Sequence, residues 1–353
     1  ELREYKDPET PFEVLFCAEA GYYRHAAVAA VSLAENNRRS RTNIHVLTCV
    51  ENRVAEGMFK ESLAPYRHVT VAFHHVSDSR LDEVFFDRHL TKEAYMRFLA
   101  PAVFPASVGR VLYLDCDLVV LDDLRPLWNM DLRGKAIAAA PDFPWDENGA
   151  LARRLASLGL SATDTYVNSG VLLLDLDRWR RDNLSDRLFA YAKARGSVLA
   201  FHDQDAINAV LHDDIHVVDC RWNLQSRMYR LGRRSFPHEF AATRQARRRP
   251  AILHYSTGEK PWLFRSQAVR KKHYFHYLGK TAWRNARPAP LTLPQFAEWW
   301  LGRQFLRVGA DYMQIISLAR HAISRSWRPV RRSLASVRVP TAPKRRTKSE
   351  PSS

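Results

Sequence analysis

The stretch RVLYLDCDLVVLDDLRPLW, Arg110 to Trp128, runs an apolar segment into two carboxylates one residue apart and then resumes it. In extended backbone alternate side chains share a face, so Asp115 and Asp117 point one way while Leu112, Leu114 and Cys116 point the other. Like charges held so close are costly when buried and unpaired. The pattern therefore predicts a strand end whose acids face a cation, and a hard divalent ion is the simplest candidate. Paired acids also act as general acid and base in glycoside hydrolases, although those usually come from separate elements.

Outward from this stretch the N-terminal half alternates strand-like and helix-like segments. FEVLFCA, NIHVLTCV and VTVAFHHV read as strands; AAVAAVSLAENN, RVAEGMFKESL and TKEAYMRFLAPAVF read as helices. KAIAAAPD, YVNSGVLLLDLD and IHVVDC are further strands, interleaved with the helices RWRRDNLSDRLFAYAKAR and FHDQDAINAVLHD. This order predicts an α/β fold, a mostly parallel, doubly wound sheet with helices on both faces and ligands at the C-terminal ends of strands. The arginine-rich region Gly232 to Pro250 reads as an exposed loop.

The 353 residues, 46% hydrophobic, suffice for a large core and exclude a disordered chain. Four scattered cysteines, Cys17, Cys49, Cys116 and Cys220, each in a strand-like run, argue against a metal knuckle or disulfide framework and for a reducing compartment. No apolar run approaches the ~18 residues of a membrane span. The N-terminal ELREYKDPET is polar rather than a secretory segment, yet the chain begins at Glu1, which leaves a trimmed targeting segment open.

The net charge of +16 is segregated. Arg221 to Arg287 carries 17 basic against 2 acidic residues and Arg320 to Ser353 carries 10 against 1, leaving −8 for the remainder. Such a division points to an anionic partner: a phospholipid surface, a phosphorylated glycan or nucleic acid. From Leu306, Val308, Tyr312, Ile315, Ala319 and Ile323 recur at helical spacing among arginines, predicting a basic amphipathic helix for a lipid interface or for packing on its own domain. TAPKRRTKSEPSS, beyond Pro340, has a disordered composition.

Five polar clusters interrupt the apolar segments. They are the loop Glu19, Ala20, Gly21, Tyr22; the acids Asp115 and Asp117; Asn168, Ser169, Gly170 before a buried strand; Asp203, Gln204, Asp205 early in a helix; and ILHYSTGEKPW, with His254, Gly258 and Lys260. Taken singly, the loop, the Asn168 group and the Asp203 group read better as turn and cap chemistry than as a site. His254 offers an imidazole to a metal already held by two carboxylates, and Lys260 a charge for a diphosphate.

In this order the clusters resemble glycosyltransferase family 8, the group of bacterial lipopolysaccharide galactosyl- and glucosyltransferases and of glycogenin, over roughly Phe12 to Trp262. The resemblance implies a GT-A fold, placed over residues 1–287; the charge and helical spacing beyond it predict a basic helical extension (288–339) and a disordered tail (340–353). It implies Mn²⁺ (or Mg²⁺) bound by Asp115, Asp117 and His254 and bridging the diphosphate of a UDP-sugar donor, with Lys260 and Gly258 beside that diphosphate. It further implies that Ala18, Glu19 and Tyr22 hold uracil and ribose, that Cys116 sits within the metal motif, and that Arg97 lies near the donor. Asp142, Asn168, Asp203 and Gln204 would line the sugar and the reaction centre. Glu19 and Gly21 depart from the aspartate and asparagine usual in the first loop.

The implied activity is transfer of a hexose, glucose or galactose, to a hydroxyl of a glycan such as lipopolysaccharide, with retention. The basic C-terminal region would place the enzyme peripherally on the cytoplasmic membrane face. The alternative is a basic membrane- or nucleic-acid-binding protein on a non-catalytic fold of this kind; arginine runs without a reading module supply only nonspecific phosphate attraction.

Overall fold

The computed structural model describes residues 10–19, 21–85, 92–143, 149–233, 237–264, 266–286 and 300–301. The chain divides into two units, Glu1–Pro290 and Leu291–Ser353. The amphipathic helix expected from Leu306, the tail beyond Pro340 and Ala20 of the first loop lie outside the described residues.

The described residues form ten strands: β1 (Phe12–Cys17), β2 (Thr42–Thr48), β3 (Val69–His75), β4 (Arg110–Leu114), β5 (Leu118–Val120), β6 (Ile137–Pro141), β7 (Val167–Asp175), β8 (Ile215–Val217), β9 (Leu224–Gln225) and β10 (Ile252–His254). Seven make a sheet in the order β3-β2-β1-β4-β7-β6-β8, and β5-β10-β9 make a second. In the large sheet β3, β2, β1 and β4 are parallel, β7 runs antiparallel to both β4 and β6, and β8 is parallel to β6. The α/β architecture is thus mixed but mostly parallel.

Period-two alternation gives the sheet two apolar faces. Val14 and Phe16, Leu112 and Leu114, Val171 and Leu173 enter one core; Leu15, Val111 and Tyr113, Leu172 and Leu174 enter the other. The helix Tyr23–Asn36 covers the first face with an alanine-rich surface that lets it approach closely. The helices Leu184–Arg195 and His202–Leu211 cover the second. Burial on both faces is why these strands read as near-continuous apolar runs.

Four local expectations are corrected. Asp115 to Asp117 are not a continuation of the strand: β4 ends at Leu114, the chain turns, and β5 enters the second sheet. The Gly232–Pro250 region contains a helix, Pro237–Arg248, because Thr243 and Ala246 bury one face and arginine is itself a good helix former. The segment around Arg97 is two short α-turns, Glu93–Met96 and Ala100–Val103, joined by a 3₁₀ turn, Arg97–Leu99. Of the cysteines only Cys17 lies in a strand; all four are free thiols.

The two sheets converge on that turn. Because β7 is antiparallel, its N-terminal residues lie beside the C-terminal end of β4, with Val171 opposite Leu114 and the Asp115 N–H donating to the Gly170 carbonyl at 2.8 Å. In the second sheet His254 lies opposite both Leu118 and Gln225. The Tyr23–Asn36 helix fixes the open edge of β5: Val120 N–H donates to Ser32 Oγ at 2.8 Å, and Asn36 Nδ2 donates to the Val120 carbonyl at 3.0 Å. Buried peptide groups left without such partners would each cost ~1–3 kcal/mol.

Candidate active site

At the junction Asp115, Asp117 and His254 bring one donor atom each to within 4.8 Å of one another. His254 Nε2 is 3.0 Å from Asp117 Oδ1 and 3.5 Å from Asp115 Oδ2. His254 is 2% exposed, placed by β10 in the second sheet, whereas both acids come from the turn leaving the first. Two carboxylates and an imidazole form an oxygen-and-nitrogen set suited to Mn²⁺ or Mg²⁺. Lys260 Nζ bonds both the Asp117 carboxylate and the Tyr255 carbonyl. Burial alone would raise the Asp117 carboxyl, but Lys260 and His254 together hold it well below the ordinary range.

Gly170 stands against this set. A Cβ there would lie 2.3 Å from His254 Cε1 and 2.6 Å from Asp115 Oδ2, so only glycine lets β7 pass these side chains where they stand. The sequence marks Gly170 only as part of a turn-like group; its steric role appears when β7 and β10 are seen to meet.

Beneath lies Arg97, 5% exposed, which donates to the Ala94 and Ser169 carbonyls and, at 3.0 Å, to Asp115 Oδ1. Its guanidinium stacks 4.2 Å over the Tyr113 ring, whose hydroxyl donates to the same Asp115 oxygen at 2.7 Å. Arg97 Nη1 also lies 3.2 Å from Asp203 Oδ2, an oxygen with no hydrogen-bond partner among the described residues. Burial pushes the Asp203 carboxyl up to about 6, the Arg97 charge opposing and the Asp115 charge reinforcing the rise.

A wall of amides completes the site. Gln204 joins Asn168 to Asp142, its Oε1 accepting from Asn168 Nδ2 at 2.8 Å and its Nε2 donating to Asp142 Oδ2 at 2.9 Å. The helix bearing Gln204 is fixed by Asn208, which exchanges two hydrogen bonds with the Val167 backbone. Asp142 also accepts from Gln225 and Arg227.

These groups surround a cleft of about 530 Å³. Arg97, Asp115, Asp117, His254, Gly258 and Lys260 border it, as do Asp142, Asn168, Asp203 and Gln204. Ala18, Glu19, Tyr22 and Cys116 do not. Ala18 is buried, its N–H donating to the Leu47 carbonyl, and the Cys116 thiol points away to the Cys17 carbonyl. Tyr22 is 38% exposed and edge-on to Trp262; burial and the Asp117 charge push its phenol up to about 12. Glu19 is also raised, by burial and then by Glu93.

Sequence reasoning missed Gln225, Arg227, Ser256 and Thr257, which line the cleft, and Asn223, which bonds His254. The stretch WNLQSR, where β9 forms, marks at most a short strand, and nothing local in it or in the Ser256–Thr257 pair announces these roles.

Residues 13–266 match the profile of glycosyl transferase family 8. General stress protein A of Bacillus subtilis is 30% identical over 277 residues, covering 76% of this chain and 94% of that protein. The lipopolysaccharide 1,2-glucosyltransferase of Escherichia coli K12 is 22% identical over 281 residues, covering 78% and 80%. Among solved structures, the galactosyltransferase LgtC in complex with donor and acceptor sugar analogs matches with a TM-score of 0.66 over 81% of this chain and 100% of that one. At 21% identity this is a likeness of fold.

Two outcomes are expected. Gly170→Ala should weaken divalent-cation binding at least about tenfold by displacing His254 or Asp115; calorimetric titration with Mn²⁺ that shows wild-type affinity would refute the steric role. A carboxyl raised from 3.8 to about 6 favours the native state below the lower value and loses that contribution as pH rises through the upper. Wild-type stability should therefore fall relative to Asp203→Asn between pH 4 and 7, by on the order of 3 kcal/mol. A melting-temperature difference between the two proteins that is independent of pH would contradict this.

Proposed function

The chain belongs to glycosyltransferase family 8, and from that membership we propose that it moves a hexose, glucose or galactose, from a UDP-sugar to a hydroxyl of a cell-surface glycan, with retention at the anomeric carbon. Transfer of sugar from a nucleotide sugar is the family's activity. The observation that carries the finer reading is the convergence of Asp115, Asp117 and His254 on one edge of a cleft whose other edge is the Asp142–Gln204–Asn168 wall. A diphosphate fits the first edge and a hydroxylated ring the second.

The donor set suits a divalent ion, held by the two carboxylates and His254 Nε2. When bound, such an ion neutralises diphosphate charge and acts as a Lewis acid toward the departing nucleotide. Lys260 adds a positive charge at the same edge, and Arg97 with Tyr113 holds Asp115 in orientation. Asp203 Oδ2 and the amides beside it offer hydrogen bonds to sugar hydroxyls.

Two groups on this wall are candidates for a nucleophile and both are engaged: the Asp142 carboxylate accepts from Gln204, Gln225 and Arg227, and Gln204 Oε1 accepts from Asn168 Nδ2 and from the Ser169 N–H at 3.2 Å. With both lone pairs engaged it orients the ring rather than attacking it. This favours a route in which the leaving phosphate takes the acceptor proton.

The E. coli relative acts, by its name, on lipopolysaccharide, which supports a glycan of that class as acceptor. The basic segments at Arg221–Arg287 and Arg320–Ser353 support a peripheral position on the cytoplasmic membrane face, since each basic residue near an anionic surface contributes ~1 kcal/mol.

A panel of UDP-sugars assayed for UDP release should show turnover with glucose or galactose donors, dependent on added Mn²⁺ and lost on chelation. Asp117→Ala should lose about 100-fold or more while retaining its melting transition; full activity of that variant, or of metal-free protein, would sink the reading. Sedimentation with liposomes should show binding to anionic but not neutral vesicles, and less of it without the residues after Leu306. Equal binding to both vesicle types would defeat the membrane assignment.

A further inference from the structure

We infer that Asn223 is a positioning residue for His254, the last link of a one-way chain of amides that begins at Asp142 and ends on the metal-binding imidazole. The inference rests on the reading that Asp115, Asp117 and His254 hold a divalent cation.

An amide side chain can be placed either way round, so its direction has to be argued from fixed neighbours. Asp142 supplies the first. It is 6% exposed, and as a carboxylate it only accepts, taking Gln225 Nε2 and Arg227 on Oδ1. The group 2.9 Å from its Oδ2 must be the Gln204 NH₂, which turns Gln204 Oε1 toward Asn168. Asn168 then presents NH₂ to Gln204 and Oδ1 to Asn223 Nδ2, at 2.7 Å. Asn223 has only Oδ1 left for His254 Nδ1, at 2.9 Å.

Two backbone groups impose the same direction independently. The Ser169 N–H donates to Gln204 Oε1 and the Gly170 N–H to Asn168 Oδ1 at 3.0 Å. Turning either amide over would set donor against donor in a buried site, at the cost of two hydrogen bonds. Asn223 is fully buried and does not border the cleft, so water offers no alternative partner at the link to His254.

The consequence falls on the imidazole. An amide oxygen accepts and cannot donate, so the proton of neutral His254 sits on Nδ1. Nε2, 3.0 Å from Asp117 Oδ1 and 3.5 Å from Asp115 Oδ2, would then give its lone pair to a cation bound between those carboxylates. Metal-ligating histidines depend on such an outer partner for tautomer and ring orientation, and losing it typically costs 10–100-fold in metal affinity. Here the partner is joined, through Asn168 and Gln204, to the wall facing the sugar.

The test is Mn²⁺ binding by calorimetry on the full chain. Asn223→Leu keeps the volume and removes the acceptor, and should weaken Mn²⁺ binding 10–100-fold. Asn223→Asp keeps an oxygen for Nδ1–H and, protonated, a hydroxyl for Asn168 Oδ1, and should bind within about threefold of wild type. A leucine variant with wild-type affinity, or an aspartate variant as weak as the leucine one, would overturn the inference. Should the leucine variant not fold, ¹⁵N NMR of the wild-type protein loaded with diamagnetic Zn²⁺ decides the point. His254 should show its proton on Nδ1 and the metal on Nε2, and the reverse assignment would end the proposal. Wild-type protein that takes up no Mn²⁺ would instead overturn the metal assignment itself, and the purpose of the chain with it.

Discussion

Two carboxylates that come within 4.8 Å of each other in a partly buried turn are the constraint around which the rest is arranged. At that separation, with an effective dielectric of about 20, they repel by roughly 3–4 kcal/mol. Each is therefore supplied with its own cation: Arg97 against Asp115, Lys260 against Asp117. The pairs come from opposite directions, Arg97 from a 3₁₀ turn beside the first sheet and Lys260 from the loop after β10. The balancing cations come from 18 and 143 positions away in sequence.

That requirement explains the two-sheet architecture better than core packing does. A strand running on through Asp115 to Asp117 would have kept both acids on the large sheet, out of reach of any imidazole. By turning at Asp115 and restarting as β5, the chain becomes the edge on which β10 pairs, and His254 arrives opposite Leu118, one residue past Asp117. The antiparallel direction of β7 does the corresponding work for the amides. It delivers Asn168, Ser169 and Gly170 to the end of the sheet where β4 delivers Asp115.

Much of this was legible in the sequence, and the parts that were not share a cause. Strand and helix order followed from apolar periodicity, and the helix Arg53–Leu63 falls where RVAEGMFKESL predicts it. Asp115, Asp117, His254 and Lys260 stand out because charged or imidazole groups next to apolar strands need a reason. Asn223, Gln225 and Arg227 need none in isolation, since polar residues in a short irregular segment are ordinary. Their roles come from partners 55 to 85 positions away, such as Asn168 and Asp142, that no local pattern reveals. The arginine-rich Pro237–Arg248 helix was obscured differently: its charge suggested a loop, and the two buried positions that make it a helix are a threonine and an alanine.

The charge balance of the cleft links its two edges. Among the described residues lining it, Asp115, Asp117, Asp142 and Asp203 face Arg97, Arg227 and Lys260, so with His254 neutral the walls carry about one net negative charge. A divalent cation alone would turn that to one positive, and a sugar nucleotide diphosphate, with about two negative charges, would return it. The cation thus meets a cleft of opposite sign from the start and the diphosphate only once the cation is in place, and by linkage each raises the affinity for the other. Neutral amides suit the wall between these charges. They can transmit orientation from Asp142 to His254 without adding a charge that either ligand would have to overcome, whereas an ionised side chain at Asn168, Gln204 or Asn223 would unbalance the cleft.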